Sequence, residues 1–436
     1  MTQPSTVKRA LSGHAAIGLV AGALLYIVCL TGTVAVFYPE LQRLEQRGVP
    51  EMNAIAPAAV QTAVETVLAS EASQPTTHHL YVHLPVDDLP RTTITTDHGA
   101  VHLNADGSIF GPEEIAWCDF LVALHYTLNL PGLYGLALVG VLGVMILALS
   151  VSGVVAHPRI FRDAFKLRVR QGGGVGLADW HNRMSVWTLP FSVAVALTGA
   201  IIGLASVTAW GMAAVFEDGN TGAVFEPIFG EEVEPDETKA GIPDVAAALA
   251  YMQQHYPHVT PTYVILHDPL TAGQEVQVSA LHPRRLVFGE YYRFDAAGAF
   301  KGTIGLADGA LGQQAAASNY NLHFGNYGGL PVKLAYLIFG AALTAICATG
   351  IYIWLGKRDR RGMASPRLRA LWDATVIGVP GVLAVTFGAR QAFGNAVPFA
   401  TVFWGGLIAV FFVVALWLLV KPKGYPRGAA IPTLRE

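Results

Sequence analysis

The sequence predicts a polytopic α-helical membrane protein, built as a tandem repeat of helix, α+β domain and helix that forms a four-helix core, with two further C-terminal transmembrane helices. Three observations lead there. Of 436 residues, 53% are hydrophobic and only 14% charged, with a mean hydropathy of +0.43, a balance unlike that of a wholly soluble domain. A phrase also occurs twice: His14 followed by Thr31-Gly32, and His181 followed at the same spacing by Thr198-Gly199. Each phrase opens an apolar segment that leads into a long polar stretch and then a second apolar segment introduced by another histidine, His125 in one half and His323 in the other. Self-similarity of this kind marks a duplicated architecture.

Six stretches are apolar over about the 20 residues that a span needs: 14–37, 132–156, 184–207, 332–355, 372–390 and 399–420. The fifth is short and carries Pro380. The first is read as a retained helix rather than a signal peptide, because it is long, lacks a small-residue cleavage site and carries the repeated phrase. The organisation follows: 1–38, first transmembrane helix; 39–131, first external α+β domain with its pre-span segment; 132–156, second helix; 157–183, basic cytoplasmic loop; 184–207, third helix; 208–331, second external domain; 332–355, fourth helix; 356–371, basic cytoplasmic loop; 372–420, two extra helices; 421–436, cytoplasmic tail.

Lysine and arginine bias orients the chain. Lys8 and Arg9 precede the first span, Arg159, Arg162, Lys166, Arg168 and Arg170 fill the second-to-third connection, and Lys357, Arg358, Arg360, Arg361, Arg367 and Arg369 follow the fourth. These belong in the cytoplasm. The long segments poorer in such residues then face outward, and Lys421, Lys423 and Arg427 return the C-terminus inside. Both termini are expected in the cytoplasm.

The two external segments read alike. In the first, a helical stretch from Ala56 to Ala69 precedes strands at 80–84 and 91–96 and a hairpin over 101–109 that turns at Asp106-Gly107. In the second, a helix from Ile242 to Tyr256 precedes strands at 263–266, 275–280 and 290–294, closing at Asp295-Ala-Ala-Gly298 and Phe300.

Several functions are set aside. A net charge of −3 leaves no basic footprint for nucleic acid, and Gly172 to Gly174 follow no strand and precede no lysine-bearing helix, so no phosphate loop is present. Cys29, Cys118 and Cys347 are isolated and support neither a disulfide framework nor a thiolate metal site. Glycines recurring in the spans permit close helix approach, and Trp117, Trp180, Trp187 and Trp354 near the span ends read as interfacial anchors.

The paired His…Thr-Gly first helices, the α+β modules ending near Asn104-Ala-Asp-Gly107 and Asp295-Ala-Ala-Gly298, and second helices ending in Ser152-Gly153 and Thr349-Gly350 before basic residues resemble PepSY-associated transmembrane proteins. The resemblance covers about residues 8–360. It implies two PepSY-like external modules and a bacterial inner-membrane location. It also implies a possible place among the iron-uptake members that reduce ferric siderophores with two b-type haems in the bundle. The last two spans lie outside the shared core.

Two halves inserted in one orientation are related by a pseudo-two-fold axis along the membrane normal, so equivalent residues lie at equal depth. His14 and His181 then share the cytoplasmic end, and His125 and His323 the external approach. With the resemblance, these four are the candidate haem-iron ligands, each same-depth pair supplying two imidazoles to one iron. Pairing within one half is left open. A single interfacial histidine is more often a hydrogen-bonded polar residue than a ligand, and it is the repetition that argues otherwise. His157 lies at the cytoplasmic end, is not repeated (Trp354 takes its place), and is a weaker candidate to substitute for His14 or His181. His78, His79, His83, His98 and His102 cluster in the first external domain, with 79, 81 and 83 sharing a strand face; a metal or ferric-chelate site is the alternative there, but His255, His258, His267 and His282 are too scattered to strengthen it and solvated surface is the favoured reading.

The function expected is electron transfer by an oxidoreductase of the ferric reductase type, from an unidentified cytoplasmic or membrane donor, through two haems, to an external ferric chelate. The alternative is a non-enzymatic scaffold whose external modules bind peptides or partner proteins. A transporter is disfavoured because the four core spans lack evident buried charges.

Overall fold

The computed structural model describes residues 5–166, 174–230, 236–283 and 286–420. Arg168, Arg170, Gly172, Gly173, Lys421, Lys423 and Arg427 lie outside the described residues, as does the 421–436 tail. In chain order the elements are α1 (Thr6–Ala35), α2 (Tyr38–Glu45), α3 (Pro57–Ser70), β1 (His79–His83), β2 (Thr93–Thr96), β3 (Gly99–Leu103), β4 (Ile109–Pro112), α4 (Ala116–Thr127), α5 (Gly132–Ala156), α6 (Val175–Trp187), α7 (Leu189–Phe216), α8 (Thr221–Phe229), α9 (Val245–His255), β5 (Thr260–His267), β6 (Glu275–Leu281), β7 (Glu290–Phe294), β8 (Phe300–Thr303), α10 (Leu311–Phe324), α11 (Gly329–Arg360), α12 (Pro366–Phe393) and α13 (Phe399–Val420).

Among the described residues, α1, α5, α7, α11, α12 and α13 are long and apolar enough to cross a bilayer. The third span begins at Leu189 rather than near 184, because His181 sits on the separate helix α6, which stops at Trp187. The sequence pattern merges the two, since the end of α6 is itself apolar. The fourth runs on to Arg360, its last turn carrying Lys357, Arg358 and Arg360, cations that complement the negative end of the helix dipole. Pro380 stays inside a continuous α12.

Packing divides the chain into two units, one of residues 1–30, 148–189 and 340–436, the other of residues 31–147 and 190–339. In the first, α12 is tied to α1 and α11 by polar groups at the ends of aromatic rings. Tyr26 Oη donates to the Val376 carbonyl (2.8 Å), Trp372 Nε1 to the Ala348 carbonyl (3.2 Å) and Tyr352 Oη to Asp373 (2.7 Å). α13 packs along α12, with Leu407 and Val410 against Gly378 and Val382 against Gly406. The thiols of Cys29 on α1 and Cys347 on α11 lie 3.9 Å apart, both unoxidised.

The second unit is organised by one antiparallel sheet in the order β4-β3-β2-β1-β5-β6-β7-β8. The strands of the two segments between spans therefore do not form separate sheets. β1 pairs with β5 across five residues, from His79↔His267 to His83↔Tyr263, and makes one sheet of both sets. Pairing of this kind removes two otherwise open sheet edges. The turn readings at 106–107 and 295–298 match left-handed glycines, with φ of 86° at Gly107 and 74° at Gly298. At Gly298 a Cβ would also lie 2.5 Å from Ala247 of α9, so the hairpin can approach that helix only as glycine.

Strand alternation sorts the two faces. Leu80, Val82, Ile94, Leu103, Val264, Leu266, Val276, Val278 and Phe294 point to one side, where α3 and α9 cover them with Val60, Val64, Leu249 and Met252. Trp117 is buried at 3% exposure, which removes it from the interfacial anchors. Lys333, near the start of α11, is also buried and is held by Glu40 (2.7 Å) and Asp88 (3.0 Å); the pattern of apolar spans had hidden this charge, and its two carboxylate partners offset its desolvation.

Phe294 is fully buried beneath α3 and α9. Its replacement by alanine is expected to cost about 3–5 kcal/mol, read as an earlier midpoint in denaturant unfolding of the purified protein.

Candidate paired-histidine sites

The structure brings the four repeated histidines together in two pairs, one in each unit. In the first unit, the rings of His14 on α1 and His181 on α6 have centroids 6.4 Å apart and planes at 88°. In the second, His125 on α4 and His323 on α10 have centroids 6.1 Å apart and planes at 32°. Each pair combines one residue from each half of the sequence.

The housing of each ring explains residues whose role the sequence did not disclose. His14 Nδ1 lies 3.1 Å from the Leu149 carbonyl and 3.2 Å from Ser152 Oγ. His181 Nδ1 lies 3.0 Å from Thr349 Oγ1, with a further bond to the Ile346 carbonyl. His323 Nδ1 lies 3.1 Å from the Val195 carbonyl and 3.0 Å from Thr198 Oγ1. A carbonyl can only accept, so in these three rings Nδ1 carries the proton and donates it. The hydroxyls of Ser152, Thr349 and Thr198 give their own protons to carbonyls one turn back, which leaves their lone pairs for the imidazoles. The neutral rings then present Nε2 as an acceptor. This is the arrangement by which an outer partner fixes the tautomer of a metal-binding histidine.

In the second pair, the glycine after the hydroxyl residue makes the room. A Cβ on Gly32 would stand 2.5 Å from His125 Cε1, and one on Gly199 would stand 2.8 Å from His323 Cε1. Gly153 and Gly350 face His14 and His181 at 3.5 and 3.4 Å, ordinary contact. The four Ser/Thr-Gly dipeptides thus form one device. Each abuts the histidine carried in its own half near the other spanning helix: Thr31-Gly32 abuts His125, Ser152-Gly153 abuts His14, Thr198-Gly199 abuts His323 and Thr349-Gly350 abuts His181. The signal was present as one such dipeptide in each of four spans, but its target lay outside the repeating phrase.

The helices that carry the second pair are anchored from outside. α4 has no side-chain cap of its own; instead the carboxylate of buried Glu45 accepts from the backbone N–H groups of Trp117 (2.8 Å) and Cys118 (2.9 Å). A carboxylate there satisfies open donors and meets the positive end of the helix dipole. α4 ends at Leu128 and Asn129, both with positive φ, so His125 stands on a helix distinct from α5. α10 ends similarly at Gly325, one residue past Phe324.

A metal–imidazole bond of about 2 Å, added to about 1.2 Å from nitrogen to ring centre, would put the centroids of two imidazoles on opposite sides of one ion about 6.4 Å apart. The observed 6.4 and 6.1 Å fit that spacing. Each pair offers two imidazoles, a donor set that would suit a group bringing further donors of its own; among the described residues no cluster of three or more His, Cys, Asp or Glu is placed to hold an ion.

His157 sits just past α5, near Lys357 and Arg183; burial and those two cations hold its imidazole below the usual range. It interacts electrostatically with His14 and His181 and makes neither of the two ring pairs. The histidines of the sheet have other partners. His102 bonds Thr93 and Gln46, and His83 packs edge-on against Tyr263; burial pushes both down to about 4. His98 bonds the Pro75 carbonyl, His78 bonds Asp268, and His255 stacks on Tyr251.

Six apolar spans, one shared α+β sheet and two pairs of half-buried histidines define a multi-pass membrane protein. The chain belongs to the family described as the PepSY-associated TM region, whose model matches residues 11–357. It is also similar to an uncharacterised protein of Pseudomonas aeruginosa, 26% identical over 264 residues that cover 57% of this chain and 66% of that protein.

Ahead of α4, burial and the neighbouring Asp119 carboxylate push Glu113 up to about 7 from 4.5. The stabilisation held by its protonated form is complete below about pH 4.5 and is lost as the pH rises through about 7. Glu113→Gln is expected to flatten that part of the curve of unfolding temperature against pH, comparing pH 5.5 with pH 8 as about the two ends of the window.

Proposed function

We propose that this protein is a di-haem b-type electron-transfer protein of the bacterial inner membrane. It takes electrons from a cytoplasmic or membrane donor and delivers them to an external ferric chelate, a ferric siderophore being the case the family resemblance supplies. The observation that carries the reading is the pairing of four half-buried imidazoles, two by two, with ring centroids 6.4 and 6.1 Å apart. A haem b held by two imidazoles supplies one-electron transfer with no open position for substrate.

The chain's own residues do the rest. Leu149, Thr349 and Val195 with Thr198 hold the Nδ1 protons, so that Nε2 of His14, His181 and His323 is left to bind. Gly32 and Gly199 keep His125 and His323 close against α1 and α7. α5 and α7 meet at Gly140 and Gly203, where a Cβ would stand under 3 Å from the facing helix.

The tandem repeat belongs to the same reading. The order helix, four strands, two helices recurs in both halves, and each histidine has its counterpart. With the basic loops inside, both termini lie in the cytoplasm and the sheet lies outside, where the ferric chelate arrives. Reduction of ferric to ferrous iron weakens its hold on hard oxygen donors. No nucleophile or proton-transferring dyad is needed.

Protein expressed with adequate haem is expected to show a Soret band and about two haems per chain; its absence sinks the proposal. His14→Ala and His125→Ala should each lower the haem content toward about one per chain, and unchanged content in both would reject the ligands. Gly32→Ala and Gly199→Ala should act in the same direction by displacing His125 and His323. Gly211→Ala on α7, whose Cβ would meet open space, should leave the spectrum unchanged.

A further inference from the structure

The sheet carries a histidine pair of another kind. Among the described residues β1–β5 is the pairing that joins the first four strands to the last four, and its register sets His79 directly opposite His267. Opposed residues on antiparallel strands have Cβ atoms about 4.5–5.5 Å apart, close enough for two imidazoles to reach one ion. The rings lie at 5.1 Å between centroids, with planes at 79°.

The surroundings suit a ligand. The Gln277 side chain bonds the His267 ring, while its Nε2 is buried and has no hydrogen-bond partner. A buried ring nitrogen left unpaired is costly and rare. His79 is exposed, so the site opens to water. Two carboxylates stand nearby and act on His267, Glu275 and Asp268; the first is engaged by Arg293 and the second by His78. They bring negative charge without closing the coordination sphere.

We propose that His79 and His267 form a binding site for one divalent transition-metal ion of the Cu²⁺, Ni²⁺ or Zn²⁺ kind, held across the β1–β5 seam with water in the remaining positions. Imidazole is a preferred donor for these ions. Because one ligand comes from each half of the chain, the ion ties the two strand sets together and stabilises the joined sheet. Neither residue belongs to the four paired histidines of the spans, so the site stands whether or not those bind haem.

The test uses full-length protein in detergent with any affinity tag removed. Cu²⁺, the tightest binder of the divalent series, is titrated and followed by electron paramagnetic resonance for coupling to imidazole nitrogen, and Zn²⁺ is followed by the shift in unfolding temperature. The expected result is one nitrogen-coupled Cu²⁺ equivalent and an upward Zn²⁺ shift in the wild type and in His98→Ala. Both should be lost in His79→Ala and His267→Ala, with affinity down by at least about tenfold, the loss that even an outer-shell partner commonly causes. His79 is exposed, so His79→Ala keeps the fold and decides the matter even where His267→Ala does not. Wild-type Cu²⁺ affinity in His79→Ala overturns the proposal, as does a Zn²⁺ shift of wild-type size in that variant.

Discussion

An imidazole inside an apolar helix bundle must give its Nδ1 proton to something and must have space for its ring. Much of the arrangement follows from that one demand. Helical carbonyls are normally consumed by the N–H four residues on, yet a carbonyl oxygen has a second lone pair, and Leu149 and Val195 offer theirs to His14 and His323. The hydroxyl residue three positions later adds a second acceptor, and at His323 the glycine after it removes the Cβ that would fill the ring's place. A hydroxyl, a glycine and a free lone pair on one helix face make a seat for a flat polar ring.

The same seat fixes chemistry. With Nδ1 committed as a donor, the neutral ring has one lone pair left, on Nε2, and that atom is the one that can bind a metal. The spacing of the two pairs leaves room for such an ion between the rings. The proposed electron path therefore rests on outer partners as much as on the four histidines themselves.

The second unit answers a different demand. Each set of four short strands buries only one face under a single helix, α3 or α9, and a small sheet of that kind is marginal alone. Pairing β1 with β5 merges the two cores into one, with Leu80 and Val82 beside Val264 and Leu266. Fixed charges then anchor the sheet unit's helices: Glu45 on the N-terminus of α4, and Glu40 and Asp88 on Lys333 of α11.

Hydropathy, basic-residue bias and period-two alternation made the six spans, the eight strands and the four repeated histidines legible, because each is a local pattern that one stretch of chain displays by itself. The break between α6 and α7 was not legible, since the apolar end of one helix runs into the next. Nor was buried Lys333, whose carboxylate partners lie hundreds of residues away in sequence. The doubled phrase presents a histidine with a trailing Thr-Gly, but the two parts serve different rings: His14 lies against Ser152-Gly153, and Gly32 lies against His125. The sequence alone determined which residues recur and at what spacing. Only the tertiary structure decided that the rings pair His14 with His181 and His125 with His323, and that His79 meets His267, because contacts between residues so far apart in the chain are set by packing and strand register, which leave no local trace.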